Sequence, residues 1–386
     1  MPYYHCLLFI HSYSICSLKS INGRIRNKNY LDQPITMHFK PWKLNGHLIQ
    51  SSESLAQLEE EVFFHAPEGL KFVINELYKL SDGKIPFLSI RTSGSTGSPK
   101  EIHFTIEELV ASADSSIKAL GLTADSKLLL CLPLSGVAGL MMLVRAIRVG
   151  AELITITPSS VIQPSMFHHQ KVQWASMTPH QLVNSQESFK HVENILIGGA
   201  SLSDTTLSSL PKKPERILES YGMTETLSHI ALRERYPNNH LFFKILDGIK
   251  ISRADNGALI IETPHLKTKT HRTNDEVELV DESHFSLIGR LDDVINTGGI
   301  KIHPRVVEEI LKSNGLVKEF FVCGTPHPEL GSQITVVINA VNDSELSSVQ
   351  KLIETLDWPN YHNPRKVIAR DFIYTATGKI NKRATL

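Results

Sequence analysis

Two glycines, Gly94 and Gly97, and five hydroxyl residues, Thr92, Ser93, Ser95, Thr96 and Ser98, are gathered into the short stretch "TSGSTGSPK", which Lys100 closes. Glycine lets a backbone turn sharply and approach a ligand closely. Hydroxyls donate hydrogen bonds, and lysine supplies a compact positive charge. Backbone N–H groups in such a loop form a concavity for anions, so the chemistry is that of phosphate binding. The G-x-x-x-x-G-K-[ST] pattern is not met, because Ser98 and Pro99 follow Gly97. A flexible linker has the same composition. The flanks argue against one: an apolar run, "IPFLSI", precedes the loop and a strand-like "EIHF" follows it.

Four further stretches carry candidate chemistry. In "ESYGMTET", Tyr221 can stack on a base beside Gly222, Thr224 can donate to a phosphate, and Glu225 can hold Mg²⁺, which prefers carboxylate and phosphate oxygens. An ordinary capped turn explains these eight residues equally well. In "THRTNDEVEL", Asp275 can accept both hydroxyls of a ribose, although most loop aspartates are caps or solvated. "IGRLDDVINTGGIKIHPRVVEEI" sets Arg290 between apolar neighbours, then Asp292, Asp293, Gly298 and Gly299; a domain linker followed by a helix start fits it too. "YTATGKINKR" places Lys379 behind a glycine near the C-terminus, where most lysines are simply solvated.

These residues need elements to hold them. "KLLLCLPL" (127–134), "AELITIT" (151–157) and "ENILIGGA" (193–200) read as buried strands. "TIEELVASADSSIKAL" opens with a Thr105–Glu108 capping box, and "GLMMLVRAIRVG" ends in glycine, so both read as helices. This alternation predicts an α/β layered domain. A second block starts near Arg290. "HPRVVEEILKS" has Pro304 at the first helical turn and Val306, Val307, Ile310 and Leu311 on one face. "ITVVINAV" reads as a strand and "SSVQKLIETL" as a helix, which makes a small α+β domain.

The whole chain sets the bounds. Its 386 residues, 41% hydrophobic and 21% charged, exceed what one core serves. Forty basic residues balance forty acidic ones, so no global field attracts nucleic acid or a membrane surface. Cys6, Cys16, Cys131 and Cys323 are far apart and form no C-x-x-C pair, which argues against disulfides and structural zinc. A reducing cytoplasm is the expected home. No apolar run reaches the length of a membrane span. The N-terminal apolar run is short and has no basic residue before it, unlike a signal peptide. Residues 1–36 differ from the rest, and two readings stand: translation begins naturally at Met37, or the segment is a genuine but poorly ordered extension.

The five stretches, in this order from about Phe87 to Lys382, resemble the adenylate-forming superfamily of acyl-CoA synthetases, adenylation domains and luciferases. The resemblance implies the adenylate-forming fold, N-terminally shortened: an extension over 1–36, an ATP- and acyl-binding domain over 37–290, and a mobile domain over 291–386. It implies ATP, Mg²⁺, coenzyme A and a small carboxylic acid as partners, with no nucleic acid and no membrane span; a homo-oligomer is compatible with it. By the same resemblance Thr92, Ser93, Gly94, Ser95, Thr96, Gly97 and Lys100 handle the β,γ-phosphates. Tyr221 and Gly222 line the adenine site, Thr224 contacts the α-phosphate, and Glu225 binds Mg²⁺. Asp275 and Arg290 serve the ribose, Asp292 is the hinge, and Lys379 bridges carboxylate and α-phosphate. Gly298 and Gly299 line the pantetheine tunnel, and Gly198 and Gly199 form a wall of the acyl pocket.

The compact chain, "LPLSGVAGLMMLVRA" and "YGMTETLSHIALR" look like short ligases that activate an aromatic acid bearing a second carboxylate. Arg145, His229 and Arg233 are candidates to bind that group. Ser135 and Gly136 stand where many relatives carry a histidine, and "RTND" replaces the usual Thr-Gly-Asp with its aspartate kept. Two rivals remain at this point: a stand-alone adenylation enzyme that loads a carrier-protein thiol, and a non-catalytic nucleotide-binding relative. The second predicts loss of Glu225 or Lys379, and the chain has both.

Overall fold

The structure, a computed structural model, describes residues 39–91, 100–316, 319–339, 343–374 and 380–386. The 1–36 extension, the loop residues Thr92–Gly97 and Lys379 lie outside the described residues.

Among the described residues a thirteen-stranded sheet forms the body of the molecule. Its parallel half runs Arg216–Gly222, Val192–Ile197, Val172–Met177, Lys127–Leu130, Glu152–Thr155 and Trp42–Leu44. Leu128, Leu129, Leu153, Ala175 and Ile195 on these strands are fully buried, as a sheet covered on both faces requires. Beyond Arg216–Gly222 the pairing turns antiparallel: His229–Tyr236, Phe243–Ile245, His284–Arg290, Thr270–Leu279, Ala258–Glu262 and Lys250–Arg253 follow in spatial order.

The helix Ile106–Leu120 begins at the expected capping box: Glu108 N–H donates to Thr105 Oγ1 and Thr105 N–H to Glu108 Oε2. It ends on Gly121 at φ +65°, a left-handed cap that glycine adopts without strain. The helix Val137–Val149 is buried on nearly every side. Gly139 lets it pack: a Cβ there would stand 2.3 Å from the Pro133 carbonyl oxygen.

Three strands are shorter than the sequence suggests. The first stops at Leu130 rather than Leu134, because Pro133 cannot donate to a ladder. The strand expected over 193–200 runs Val192–Ile197 and ends before Gly199, whose φ is +83°. That over 151–157 is Glu152–Thr155. The strands Leu88–Arg91 and Glu101–Phe104 pair antiparallel with Arg91 opposite Glu101, so the hydroxyl-rich stretch joins a hairpin.

A separate five-stranded sheet begins at Ile295. Ile295–Thr297, Ile300–Ile302, Phe320–His327, Gly331–Ile338 and Lys366–Ala369 surround a core that the helix Pro304–Ser313 closes with Val307 and Leu311. Only a short helical turn, Leu291–Asp293, and Val294 separate this sheet from the Arg290 end of the large one.

Candidate active site

The carboxyl ends of parallel strands are where α/β sheets receive ligands. Here the strand Arg216–Gly222 is the hub, and four consecutive residues at its end each reach a different neighbour. Glu219 accepts from Ser201 Oγ and Leu202 N–H at 3.1 and 3.2 Å. Ser220 Oγ donates to the Ile197 carbonyl at 2.8 Å. Tyr221 O–H donates to Asp275 at 2.6 Å. Gly222 lies against the start of the adjacent antiparallel strand: a Cβ would sit 2.3 Å from the Ser228 carbonyl oxygen and 2.5 Å from His229 Cα. The glycine is therefore a packing requirement, beyond any role toward a nucleotide.

On one side of the hub stands an acid–base group. Asp275 and Arg290 face each other across paired strands, and Arg290 Nη1 reaches Asp275 Oδ1 at 3.5 Å. Arg290 also grips Asp292 with two bonds of 2.8 Å, and that contact is what holds the Asp292 carboxyl below its ordinary range. Burial first, and then the Asp275 charge, push the Tyr221 phenol well above its ordinary pKa, so it stays a donor. Among the described residues the two Asp275 oxygens accept one bond each, leaving lone pairs for further donors. The Tyr221 ring is braced edge-on by Phe285, and Phe285 stacks on Phe243.

On the other side lies a buried cation. Arg145 is 2% exposed on the Val137–Val149 helix. Its Nη2 donates to Ser228 Oγ at 2.5 Å, while its Nε has no hydrogen-bond partner among the described residues. Burial lowers its pKa only to about 10, so the charge persists at neutral pH. The chain of contacts continues from Ser228 Oγ to His229 Nδ1 at 3.4 Å and from His229 Nε2 to Ser116 Oγ at 3.2 Å. Burial, and second the Arg145 charge, push the His229 imidazole far below its ordinary range, so it is neutral. No carboxylate balances Arg145 by an ion pair among the described residues, whereas the helix's other arginine, Arg148, binds Asp114 at 2.8 Å.

Arg233 is not available for a substrate carboxylate. It gives two bonds to Glu219, at 3.0 and 2.8 Å, and lies 4.5 Å above the Phe243 ring.

The remaining candidates divide. Thr224 and Glu225 form a short helical turn directly after the hub, with Glu225 exposed and its charge acting on His271 of the Asp275 strand. Gly198 and Gly199 follow the adjacent parallel strand, and Gly198 lies beside Ser220 Oγ. Lys100 directly precedes the strand Glu101–Phe104. Gly298 and Gly299, at φ +59° and +86°, form the two-residue turn between paired strands. That turn type needs glycine on local grounds alone.

Between the sheets lies a cleft of about 310 Å³ whose walls include Ala200, Ser201, Arg290, His303, Arg305 and Lys382. Across it His303 Nε2 meets Glu276 at 2.9 Å, and Arg305 Nη1 donates to the Leu287 carbonyl at 2.9 Å. The bare backbone of Gly289 makes room for His303: a Cβ would come within 2.7 Å of Nδ1.

Sequence reasoning passed over Ser116, Ser228, Glu219 and Arg235. Nothing local marks Ser116. Glu219 carried a signal that was not used: a carboxylate inside the apolar strand "RILESYG" needs a buried cationic partner.

The family model described as AMP-binding enzyme matches residues 31–246. A 2-succinylbenzoate–CoA ligase of Listeria monocytogenes is 27% identical over 318 residues, covering 75% of this chain and 68% of the relative. An AMP-forming acyl-CoA synthetase-like protein from Dyadobacter fermentans is 29% identical with TM-score 0.53, covering 87% of this chain and 97% of that one. An o-succinylbenzoate coenzyme A synthetase from Bacillus subtilis, solved with AMP, is 25% identical with TM-score 0.63, covering 76% and 68%.

Proposed function

The chain belongs to the AMP-binding enzyme family, and on that premise we propose that it is an ATP-dependent acid–thiol ligase acting on o-succinylbenzoate, the ligase of menaquinone biosynthesis. In the first half-reaction a carboxylate oxygen attacks the α-phosphorus of ATP to form the acyl adenylate, and the bridging P–O bond breaks with its electron pair on the departing pyrophosphate. In the second, the coenzyme A thiol gives its proton to solvent and attacks the acyl carbonyl, and the acyl–oxygen bond breaks with its electron pair on the departing AMP. No protein nucleophile is required; the protein's part is positioning and charge neutralisation.

The observation that carries the choice of acid is Arg145. A buried guanidinium without a carboxylate is costly, by about several kcal/mol, and no ion pair among the described residues offsets it. A substrate with a second carboxylate would supply the missing charge. Ser228 and neutral His229 beside it add polar contacts without competing as anions. At the opposite end, Asp275 takes the ribose hydroxyls with its free lone pairs and Tyr221 lies along the adenine. Thr224 contacts the α-phosphate. Glu225 offers an exposed, hard oxygen donor, which suits Mg²⁺ shared with substrate phosphates; the ion would lower the charge of those phosphates. Gly198 and Gly199 wall the acyl pocket, Gly298 and Gly299 border the pantetheine path, and the small domain over 291–386 turns at Asp292 to bring Lys379 in for the first half-reaction. A cytoplasmic location follows from these substrates.

The test is a pyrophosphate-release screen. Acids offered are o-succinylbenzoate, its analogue lacking the ring carboxylate, fatty acids and amino acids, each with coenzyme A or a carrier protein as acceptor. The expected result is preference for the dicarboxylic acid and for coenzyme A. Preference for fatty acids or amino acids overturns the substrate, and transfer to a carrier alone overturns the acceptor. Lys379→Ala adds a check on mechanism: adenylate formation should collapse, while thioester formation from pre-made adenylate should continue.

A further inference from the structure

The Gly198–Ser203 segment leaves its strand at Ile197 and does not rejoin a sheet. Gly198 N–H still donates to the Met177 carbonyl. Further on, the main chain is held by charged side chains. Leu202 N–H donates to Glu219 Oε1 at 3.2 Å, and Arg235 Nη1 donates to the Leu202 carbonyl. Ser201 Oγ donates to the same Glu219 oxygen.

Behind these contacts is a closed set of ions. Glu219, 2% exposed, binds Arg233 and Arg235 through its other oxygen. Arg235, 3% exposed, reaches Asp204 at 2.5 Å and Asn239 at 2.9 Å. Two cations and two anions therefore hold the far end of the segment, while the Gly198 backbone bond holds its start, and Asp204 opens the short helix that follows it. Apolar residues of similar volume would often stabilise a fold as well as a buried ion set. What ions add is direction, because each bond fixes an angle as well as a distance. The segment so fixed carries Ala200 and Ser201 on the wall of the cleft between the sheets.

We propose that Glu219 and Arg235 are positioning residues that hold Gly198–Ser203 as a preformed wall of the acid-binding pocket. The inference rests on the reading above that Gly198 and Gly199 face the acid. Their action on substrate is indirect: Glu219 acts through Ser201 and Leu202, Arg235 through Leu202 and Asp204. Glu219 lies two residues before Tyr221 on one strand, so the wall and the adenine platform share one rigid support.

The experiment separates the affinity for acid from that for ATP. Arg235→Met removes the hold on the Leu202 carbonyl and on Asp204. The KM for the preferred acid should rise on the order of tenfold, the scale of one lost charge-assisted hydrogen bond, while the KM for ATP changes less than about twofold. Arg235→Lys, which keeps a donor, should recover most of the loss. Hydrogen exchange at Leu202 should accelerate in Arg235→Met. A control truncated elsewhere in the core, Ile74→Val, should change neither KM. Equal rises for acid and ATP, or no rise in a folded Arg235→Met protein, overturn the proposal. Should Arg235→Met fail to fold, Glu219→Gln is read by the same split, since the amide keeps an acceptor for Leu202 N–H but cancels the central charge. Absence of acid-dependent pyrophosphate release in the unaltered enzyme would defeat the functional reading instead.

Discussion

Asp275 and Arg145 lie on opposite sides of the Arg216–Gly222 strand and are treated in opposite ways. Asp275 is answered twice, by Tyr221 and Arg290, and Arg290 is answered again by Asp292. Among the described residues Arg145 has a serine hydroxyl and an Nε without a partner. The first group is paired within the protein before any ligand arrives, so it holds a shape and lends spare lone pairs. The second is unbalanced and buried, so it is built to be completed. Pairing within a site thus separates residues that frame a ligand from those that wait for its charge.

Arg145→Met should break this contrast most severely. We expect kcat/KM for the dicarboxylic acid to fall roughly a hundredfold, about 2–3 kcal/mol, as for a lost hydrogen bond to a charged group. The analogue lacking the ring carboxylate should be hardly affected, and thermal unfolding should show the variant at least as stable, since a lone buried cation is gone. Equal losses for both acids would mean that Arg145 is structural.

Asp275→Asn comes next. The amide keeps an acceptor but loses the charge that Arg290 and the ribose use, so the KM for ATP should rise about tenfold with the KM for the acid unchanged. Tyr221→Phe removes one neutral donor to the same carboxylate and should cost about 1 kcal/mol, roughly fivefold in the KM for ATP. Steady-state titrations of each substrate decide both. An acid-specific effect from either variant would erase the division between the two sides.

The smallest effect sharpens the contrast through pH. The folded-state pKa of His229 is depressed and that of the unfolded chain is near 6.5. Below about pH 6.5 the unfolded chain binds a proton that the folded one refuses, so stability falls as pH drops. Arg145 contributes to that depression. Burial is the larger cause and remains in Arg145→Met, so the variant should still lose Tm between about pH 7.5 and 5, at most slightly less than the unaltered protein. A level Tm in the variant would make the Arg145 charge, and not burial, the dominant cause.

Motifs confined to a few consecutive residues were legible before the fold was known. Tyr221, Thr224 and Glu225 lie within five consecutive residues, and the Thr105–Glu108 cap and the Pro304 helix start are similarly local. What depends on cross-strand pairing was not. Arg145 meets Ser228 across 83 residues and His229 meets Ser116 across 113, and no spacing rule joins them. The antiparallel strands between His229 and Arg290 were equally hidden. Their patterns are mixed: Thr270–Leu279 alternates for only part of its length, and Asp275 itself interrupts it. Arg233 looked free in the sequence because its partner, Glu219, becomes a neighbour only when the two strands pair.

The meeting of Gly289 with His303 has a consequence for timing. With the Glu276 contact and the Arg305 bond to Leu287, it gives the small sheet a resting notch against the Arg290 end of the large one. The polar contacts there are few and partly wet, each worth about 0.5–1 kcal/mol. A notch that shallow defines a position without trapping it. The turn proposed at Asp292 would leave it after a delay of about one to two orders of magnitude over free drift, short beside most catalytic cycles, so the latch would set the order of events and leave the turnover rate to chemistry or product release.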